Sequence, residues 1–243
     1  MSTLFFYINF VVGLICIHPL LIKVNRMLKD GDMEVHDAYT EKIVKRWAGN
    51  RIKLSHTNMI VEGLENIPKD RTILFVSNHQ SNFDIPILLS CLPGRKGFIA
   101  KIELSKIPGL STWMKHIHCL FMDRSDMKQS MNIILEGIKT LKSGYNMVVF
   151  PEGTRSKGDT MREFKAGSFK LATKSGAVIV PVTIDGSYKA LDFKRPFYKK
   201  VNVGLYIHQP IDPKTLTKEE QAELHNTVFK IVQSAVGKTK KLI

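Results

Sequence analysis

Short apolar runs alternate with amphipathic stretches along most of the chain, from about residue 71 onward. The runs have the length of buried strands, and the stretches repeat their apolar positions with the period of a helix. Strands that feed helices in this order are typical of a largely parallel sheet covered by helices. Strands are predicted at 72–77, 97–100, 147–150, 178–184 and 201–207, the last of them at an edge. The pattern therefore predicts an α/β fold with a single mixed, largely parallel sheet flanked by helices.

The predicted helices begin and end at residues that favour helix termini. The clearest helix starts at the cap Ser125 and ends at the turn Ser143-Gly144. Thr217 and Glu220 have the spacing of a capping box ahead of the last helix. The other predicted helices cover 85–92, 167–174 and 224–235.

The first apolar run is much longer than a strand. Residues 4–24 are almost entirely apolar, which is roughly the ~20 residues that a helix needs to cross a bilayer. A secretory signal is disfavoured because no basic residue precedes the run and no cleavage site follows it. Lys23, Arg26 and Lys29 follow, and the positive-inside tendency places the remaining chain on the cytosolic side. We interpret the run as a permanent anchor, with a buried core helix as the alternative.

A second amphipathic segment follows the anchor. Its apolar stripe recurs at every fourth position and is bordered by lysines and arginines. The stripe consists of Val35, Tyr39, Ile43 and Trp47. Such a segment suits a helix lying in the headgroup layer, or an ordinary helix packed on the domain. The chain is thus divided into an N-terminal membrane helix pair at 1–50 and a globular domain at 51–243.

The net charge of +14 indicates an anionic partner. Nucleic acid, phospholipid headgroups and phosphorylated small molecules all fit this charge. Nucleic acid is disfavoured because the chain has no zinc-finger pattern and the apolar anchor has no role in such binding. The cysteines, Cys16, Cys91 and Cys119, lie far apart, which argues against a disulfide framework and for a reducing compartment.

His79 and Asp84 are the first candidates for chemistry. His79 directly follows the predicted strand 72–77, and Asp84 comes five residues later, where a short turn can bring the two side chains together. A carboxylate bonded to one ring nitrogen leaves the other nitrogen free to take a proton from a hydroxyl. In the alternative, Asp84 caps the helix that begins at Ile85-Pro86, and His79 is an ordinary loop residue.

A second polar loop follows the predicted strand 147–150. Residues 152–156 offer a glycine turn, a hydroxyl, exposed amides and a guanidinium, a combination that can hold a phosphate. Lys165 lies where the next helix begins, and Lys101 lies at another strand end. Taken singly, the loop could be a solvated turn and each lysine an ordinary surface residue.

Together and in this order, these segments resemble the glycerolipid acyltransferase family that includes bacterial 1-acylglycerol-3-phosphate acyltransferases. The resemblance runs from about Leu74 to Val182 and rests on four blocks. The blocks are Asn78-His79 to Asp84, Phe98-Ile99-Ala100-Lys101 with Phe121-Met122-Asp123-Arg124, Phe150-Pro151-Glu152-Gly153-Thr154-Arg155-Ser156, and Val180-Pro181-Val182. The first 50 or so residues resemble the membrane-embedded helix pair of the family, though less specifically.

The resemblance implies a fold like that of glycerol-3-phosphate acyltransferase and a role for each matched residue. His79 would be the general base and Asp84 its orienting partner. The residues assigned to the phosphate of the acceptor are Lys101, Arg124, Glu152, Gly153, Thr154, Arg155 and Lys165. The expected acceptor is lysophosphatidic acid, with acyl-CoA or acyl-carrier protein as co-substrate and neither metal nor cofactor. The expected location is the cytoplasmic face of a bacterial inner membrane, beside anionic lipid.

Two positions depart from the family pattern, and several functions stay open. His118 stands where the family often has glycine, and Lys165 stands in place of an arginine, which loses bidentate geometry. His116 and His118 are spaced as a possible metal pair, but no Cys, Asp or Glu nearby completes ordinary zinc spacing. Alternatives are transfer to glycerol 3-phosphate or another lysolipid, or a non-catalytic lipid-binding protein of the same fold. The length of the acyl chain, the oxyanion donors and the oligomeric state are not encoded in these motifs.

Overall fold

Seven strands form one mixed sheet in the computed structural model, which describes residues 2–191 and 200–242. The strands are β1 (Thr57–Glu62), β2 (Ile73–Ser77), β3 (Lys96–Lys101), β4 (Leu120–Met122), β5 (Asn146–Val149), β6 (Val178–Asp185) and β7 (Val201–Ile207). Their spatial order is β1-β7-β6-β2-β5-β3-β4. The pairing of β6 with β7 is antiparallel, and the other neighbouring pairs are parallel. The predicted mixed, largely parallel sheet is therefore confirmed.

The prediction that 201–207 is an edge strand was wrong. Val203 pairs with Met59 of β1, and Leu205 pairs with Ile184 of β6, so β7 lies inside the sheet. The edge strand β1 was not predicted. Its residues are half-buried or exposed without regular alternation, so the sequence carries no strand period at this edge.

Helices cover both faces of the sheet. They are α1 (Ser2–Ile17), α2 (Leu20–Lys29), α3 (Met33–Leu54), α4 (Asp84–Cys91), α5 (Leu110–His116), α6 (Met127–Lys142), α7 (Lys170–Ser175), α8 (Ser187–Ala190), α9 (Lys218–Ala222) and α10 (Leu224–Ser234). Phe75 of β2 packs into a core with α1 to α5, whereas its neighbours Leu74 and Val76 pack into a second core with α6, α7 and α10. This alternation is the period of a strand buried on both faces.

Two predicted caps had different outcomes. The capping box of Thr217 and Glu220 is confirmed, although the short helix α9 that it starts is separate from α10. The cap of α6 is Asp126, whose carboxylate accepts the amide of Gln129 at 2.9 Å, and the prediction of Ser125 was wrong by one residue. The hydroxyl of Ser125 is not available because it donates to Asp123 at 2.6 Å.

The long apolar run of residues 4–24 does not form one straight helix. It divides into α1 and α2 at His18-Pro19, where Pro19 has no amide to continue the helical ladder. Among the described residues no single helix is long and apolar enough to cross a bilayer, whereas α1 and α2 together reach that length and composition across a bend of 52°.

The three N-terminal helices pack on the same core as the sheet. The rings of Phe10 and Trp47 meet edge to face with centroids 5.0 Å apart, and Arg51 donates to the carbonyl of Asn9. Of the two interpretations of the apolar stripe in α3, packing on the domain holds for Ile43 and Trp47, which are buried. The helix α3 continues past residue 50 and ends at Leu54. The division of the chain into a membrane helix pair at 1–50 and a globular domain at 51–243 stays a prediction.

Candidate active site

The two polar loops singled out in the sequence lie at one edge of the sheet. Residues 78–84 follow β2, and residues 151–156 follow β5, its parallel neighbour. The carboxyl ends of neighbouring parallel strands lie side by side, which is where open α/β sheets bind ligands. The predicted placement of both loops is confirmed.

His79 and Asp84 are in direct contact. Nδ1 of the imidazole lies 2.7 Å from Oδ2 of Asp84, whose side chain is fully buried, while 17% of the His79 side chain is exposed. The imidazole stacks on the ring of Phe150, with centroids 4.1 Å apart and an interplanar angle of 18°. With Nδ1–H donating to the carboxylate, Nε2 is the nitrogen that can accept a proton.

The surrounding loop holds the Asp84 carboxylate in place. Oδ2 also accepts the amides of Gln80 at 2.7 Å and Ser81 at 3.0 Å, and Oδ1 accepts the hydroxyl of Ser187. The cap position of α4 is Phe83, and the carboxylate turns back toward the loop. The interpretation of Asp84 as a simple helix cap is therefore not what the structure shows.

Glu152 joins the two loops. Its carboxylate accepts the amide of His79 at 2.6 Å and the amide of Arg162 at 2.8 Å, and the amide of Ser156 donates to the carbonyl of His79 at 2.8 Å. Burial raises the pKa of Glu152, and these amide hydrogen bonds oppose the rise. Both oxygens of Glu152 accept backbone amides, so the structure gives this carboxylate a role in holding the two loops together. The assignment of Glu152 to phosphate binding stays a prediction.

The side chains of Lys165 and Arg124 both lie close to Gly153. The backbone of Gly153 is left-handed, with φ of +74°, and a β-carbon at this position would lie 3.3 Å from Nζ of Lys165 and 3.9 Å from Nη1 of Arg124. The fold thus brings Arg124 from the end of β4 and Lys165 from a later loop to the same glycine turn. A glycine turn beside two cations has the composition of a phosphate site.

The remaining residues predicted to bind the phosphate are Lys101, Thr154 and Arg155. Lys101 ends β3 and pairs with Glu103 at 2.8 Å, with both side chains largely exposed. Thr154 is exposed, and Arg155 is half-buried with no hydrogen bond or ion pair inside the ranges 2–191 and 200–242. The phosphate-binding roles of Lys101, Thr154 and Arg155 stay predictions.

The chain is similar to known acyltransferases in sequence and in structure. The family model described as "Acyltransferase" matches residues 58–185, more than half of the chain. The chain belongs to the acyltransferase family. The match includes the whole range, 74–182, over which the motifs resemble this family.

Individual relatives extend the similarity beyond the family model. The chain is 30% identical over 205 residues to a probable 1-acyl-sn-glycerol-3-phosphate acyltransferase of Mycoplasma pneumoniae, covering 78% of this chain and 75% of the relative. It is 35% identical over 181 residues, 72% of its length, to the chloroplastic 1-acyl-sn-glycerol-3-phosphate acyltransferase LPAT1 of Arabidopsis thaliana, of which it spans half. The crystal structure of the 1-acyl-sn-glycerophosphate (LPA) acyltransferase PlsC from Thermotoga maritima superposes with a TM-score of 0.83 and 33% identity, covering 99% of this chain and 94% of that one.

Sequence reasoning missed the residues that brace the loop of His79 and Asp84. The side-chain oxygen of Gln80 accepts the amides of Gly186 at 2.9 Å and Ser187 at 3.1 Å, and Asn78 exchanges two hydrogen bonds with the backbone of Ile184. These contacts tie the end of β2 to the end of β6. One signal was present, because Gly186-Ser187 follows a buried strand as the other two polar loops do.

The histidines at 116 and 118 belong to a buried polar cluster. Nδ1 of His116 lies 3.0 Å from Nε2 of His36, and its Nε2 lies 3.1 Å from the side-chain oxygen of Asn25. Nε2 of His118 lies 3.4 Å from Asp37. No group of three or more potential ligands able to hold a metal occurs within residues 2–191 and 200–242. His118 has φ of +57°, a left-handed backbone conformation that favours glycine over other residues.

Proposed function

We propose that the chain transfers a fatty acyl group from a thioester donor to the sn-2 hydroxyl of 1-acylglycerol 3-phosphate, giving phosphatidic acid. One observation carries the proposal: an imidazole oriented by a buried carboxylate is joined through the loop at residues 152–156 to a glycine turn with two cations. The imidazole suits a hydroxyl, and the cations suit a phosphate. The names of the similar proteins support the same acceptor.

The chemical step uses the hydroxyl of the acceptor as the nucleophile. Nε2 of His79 removes the hydroxyl proton as the oxygen attacks the thioester carbonyl. The tetrahedral intermediate collapses, the carbon–sulfur bond breaks, and the imidazolium returns the proton to the leaving thiolate. An acyl-enzyme is not needed, because no Ser or Cys side chain is bonded to the His79 ring in the part of the chain that the structure describes.

The phosphate of the acceptor positions the substrate and takes no part in the transfer of the acyl group. Lys165 and Arg124 hold the anionic headgroup, and binding energy from this remote group orients the free hydroxyl toward His79. Acyl-CoA and acyl-carrier protein both provide the thioester, and the reaction requires neither metal nor cofactor. Lys101 and Arg155 extend the positive edge along which the acceptor enters.

A membrane location fits the surface of α1. Exposed apolar side chains cover this helix, which has no charged residue. They are Leu4, Ile8, Val11, Val12 and Ile15. We propose that α1 and α2 insert into the cytoplasmic face of an anionic membrane, where the acceptor lipid resides.

Replacing His79 tests the proposed base. We expect His79→Ala to lower the rate of acyl transfer by ~10²–10⁴-fold, because general-base assistance is typically of that size. Far-UV circular dichroism should show that the variant stays folded, and His225→Ala, at a histidine on α10, serves as the control. Acyl transfer by purified His79→Ala at the wild-type rate would exclude His79 as the base.

A further inference from the structure

The outer side of α6 presents large apolar side chains to solvent. Met127, Met131 and Leu135 are 85%, 63% and 54% exposed, and they follow one another at every fourth position. Residues spaced by four lie on one side of a helix. Isolated exposed apolar residues are ordinary on protein surfaces, but a row of three along one helix is typical of an interaction site.

Lysines share this side of the helix. They are Lys128, Lys139 and Lys142, all exposed. Together with Met127, Met131 and Leu135 they form what we call the α6 face. Glu136 is the acidic residue of α6; it lies about 60° around the helix from Lys139 and about 100° from Leu135, so it borders the α6 face on one side. The α6 face is thus apolar and positively charged.

We infer that the α6 face docks an acidic acyl-carrier protein that brings the thioester to the site. The inference rests on the proposed function and names its donor. Charge complementarity supports it, because the face has three lysines and the whole chain has a net charge of +14. A carrier protein that is negatively charged around an apolar patch matches both properties of the face.

The position of α6 also fits delivery of a donor. The helix begins three residues after Arg124, one of the two cations beside Gly153, so the α6 face starts next to the proposed phosphate site. A helix of 16 residues is about 24 Å long, which gives a small protein room to dock with its prosthetic arm directed toward His79.

A bilayer is a poorer match for the α6 face. Phe6 of α1 packs into the core on one face of the sheet, whereas Leu141 of α6 packs into the core on the other face. The outer sides of helices on opposite faces of a sheet point in opposite directions. A flat membrane in contact with α1 therefore leaves the α6 face free for a soluble partner.

Charge reversal on the α6 face tests the inference with two readouts. In Lys128→Glu/Lys139→Glu we expect the Kd for a fluorescently labelled bacterial acyl-carrier protein loaded with palmitate, measured by fluorescence anisotropy at low salt, to rise about 10-fold or more. The kcat/KM with this donor should fall similarly, whereas kcat/KM with palmitoyl-CoA should change less than about 2-fold. The control Lys218→Glu/Lys230→Glu makes the same charge change on α9 and α10 and should alter neither readout.

Several results would overturn the inference. These are an unchanged Kd for the carrier protein, equal losses of kcat/KM with both donors, or a wild type that does not bind the carrier protein. Weaker sedimentation of the variant with anionic phosphatidylglycerol vesicles, with unchanged binding of the carrier protein, would identify the face as a membrane contact. Failure of the proposed function is a separate result, since wild type would then bind the carrier protein without transferring its acyl group.

Discussion

Hydrogen bonds from four residues converge on the buried carboxylate of Asp84. The donors are His79, Gln80, Ser81 and Ser187. Because its oxygens are held from several directions, the carboxylate cannot turn away from the imidazole without leaving a buried charge unpaired. The geometry of the proposed base therefore depends on residues that never meet the substrate.

Ser187 is a positioning residue whose removal should affect turnover more than binding. We expect Ser187→Ala to lower kcat by ~10–100-fold with little change in the KM for the acceptor, because a hydrogen bond to a charged group is worth about 1.5–3 kcal/mol. Steady-state kinetics with lysophosphatidic acid measures both constants. Ser175→Ala, at a half-buried serine of α7, is the control. A raised KM with unchanged kcat would contradict the positioning role.

Contacts in the site could be predicted from the sequence only where the two residues are close along the chain. His79 and Asp84 are five residues apart, so a local turn was enough to predict their contact. Ser187 reaches Asp84 only because β6 pairs with β2, and Arg124 meets Lys165 only through the order of the strands. The bonds of Glu152 to the amides of His79 and Arg162 were not predicted, because sequence does not show which carboxylate oxygens face backbone amides.

At the scale of elements, α1 is attached to the loop of His79 as well as to α3. The side-chain amide of Asn82 donates to the hydroxyl of Tyr7 at 2.8 Å, and Phe6 packs edge to face on Phe83 with centroids 5.5 Å apart. The proposed membrane helix and the loop of His79 are thus in direct contact.

Gly13 allows this close packing of α1. A β-carbon at Gly13 would lie 2.9 Å from Nε1 of Trp47 and would collide with the guanidinium of Arg51. We expect Gly13→Val to lower the free energy of unfolding by about 1–3 kcal/mol, as overpacking does, and to speed proteolysis within residues 1–29. Thermal unfolding and limited proteolysis in detergent measure these effects.

Ile15→Val is the matched control for this change, because Ile15 is an exposed residue of the same helix. It should leave both measurements unchanged. Equal protease resistance of Gly13→Val and wild type would show that α1 does not need the glycine to pack.

Periodicity in the sequence predicted the type and order of most elements, but it did not predict which strands pair with each other in the sheet. Strands that are buried on both faces, such as β2 and β6, stand out as short apolar runs. The edge strand β1 has no such run, so neither the strand nor its pairing with β7 was predicted. The break between α1 and α2 coincides with Pro19, a signal that was present in the sequence but was included in one apolar run.

At the scale of the whole molecule, a buried lysine lies at the opposite end of β3 from Lys101. Lys96 is 6% exposed and donates to the carbonyl of Leu92 at 3.0 Å. Burial lowers the pKa of Lys96 from 10.5 to about 8. Between these two values the unfolded chain binds more protons than the folded protein, so this group makes the protein more stable as the pH rises from about 8 to 10.5.

Replacing Lys96 should remove that dependence. As the pH rises through this range, we expect the free energy of unfolding of wild type to increase by on the order of 3 kcal/mol more than that of Lys96→Met. Lys96→Met should be the more stable protein at neutral pH, because a buried charge is gone. Denaturant unfolding at a series of pH values measures the difference, with Lys42→Met, at an exposed lysine of α3, as the control. A constant difference between wild type and Lys96→Met would contradict the pKa shift.

Thiol release from palmitoyl-CoA or from palmitoyl-loaded acyl-carrier protein tests the proposed transfer most directly. We expect wild type to release one thiol for each phosphatidic acid formed when lysophosphatidic acid is present, and far less with a monoacylglycerol that lacks the phosphate. Release at the same rate without an acceptor would show a thioesterase instead. Absence of release with lysophosphatidic acid and with every other lysolipid would contradict acyl transfer by His79 altogether.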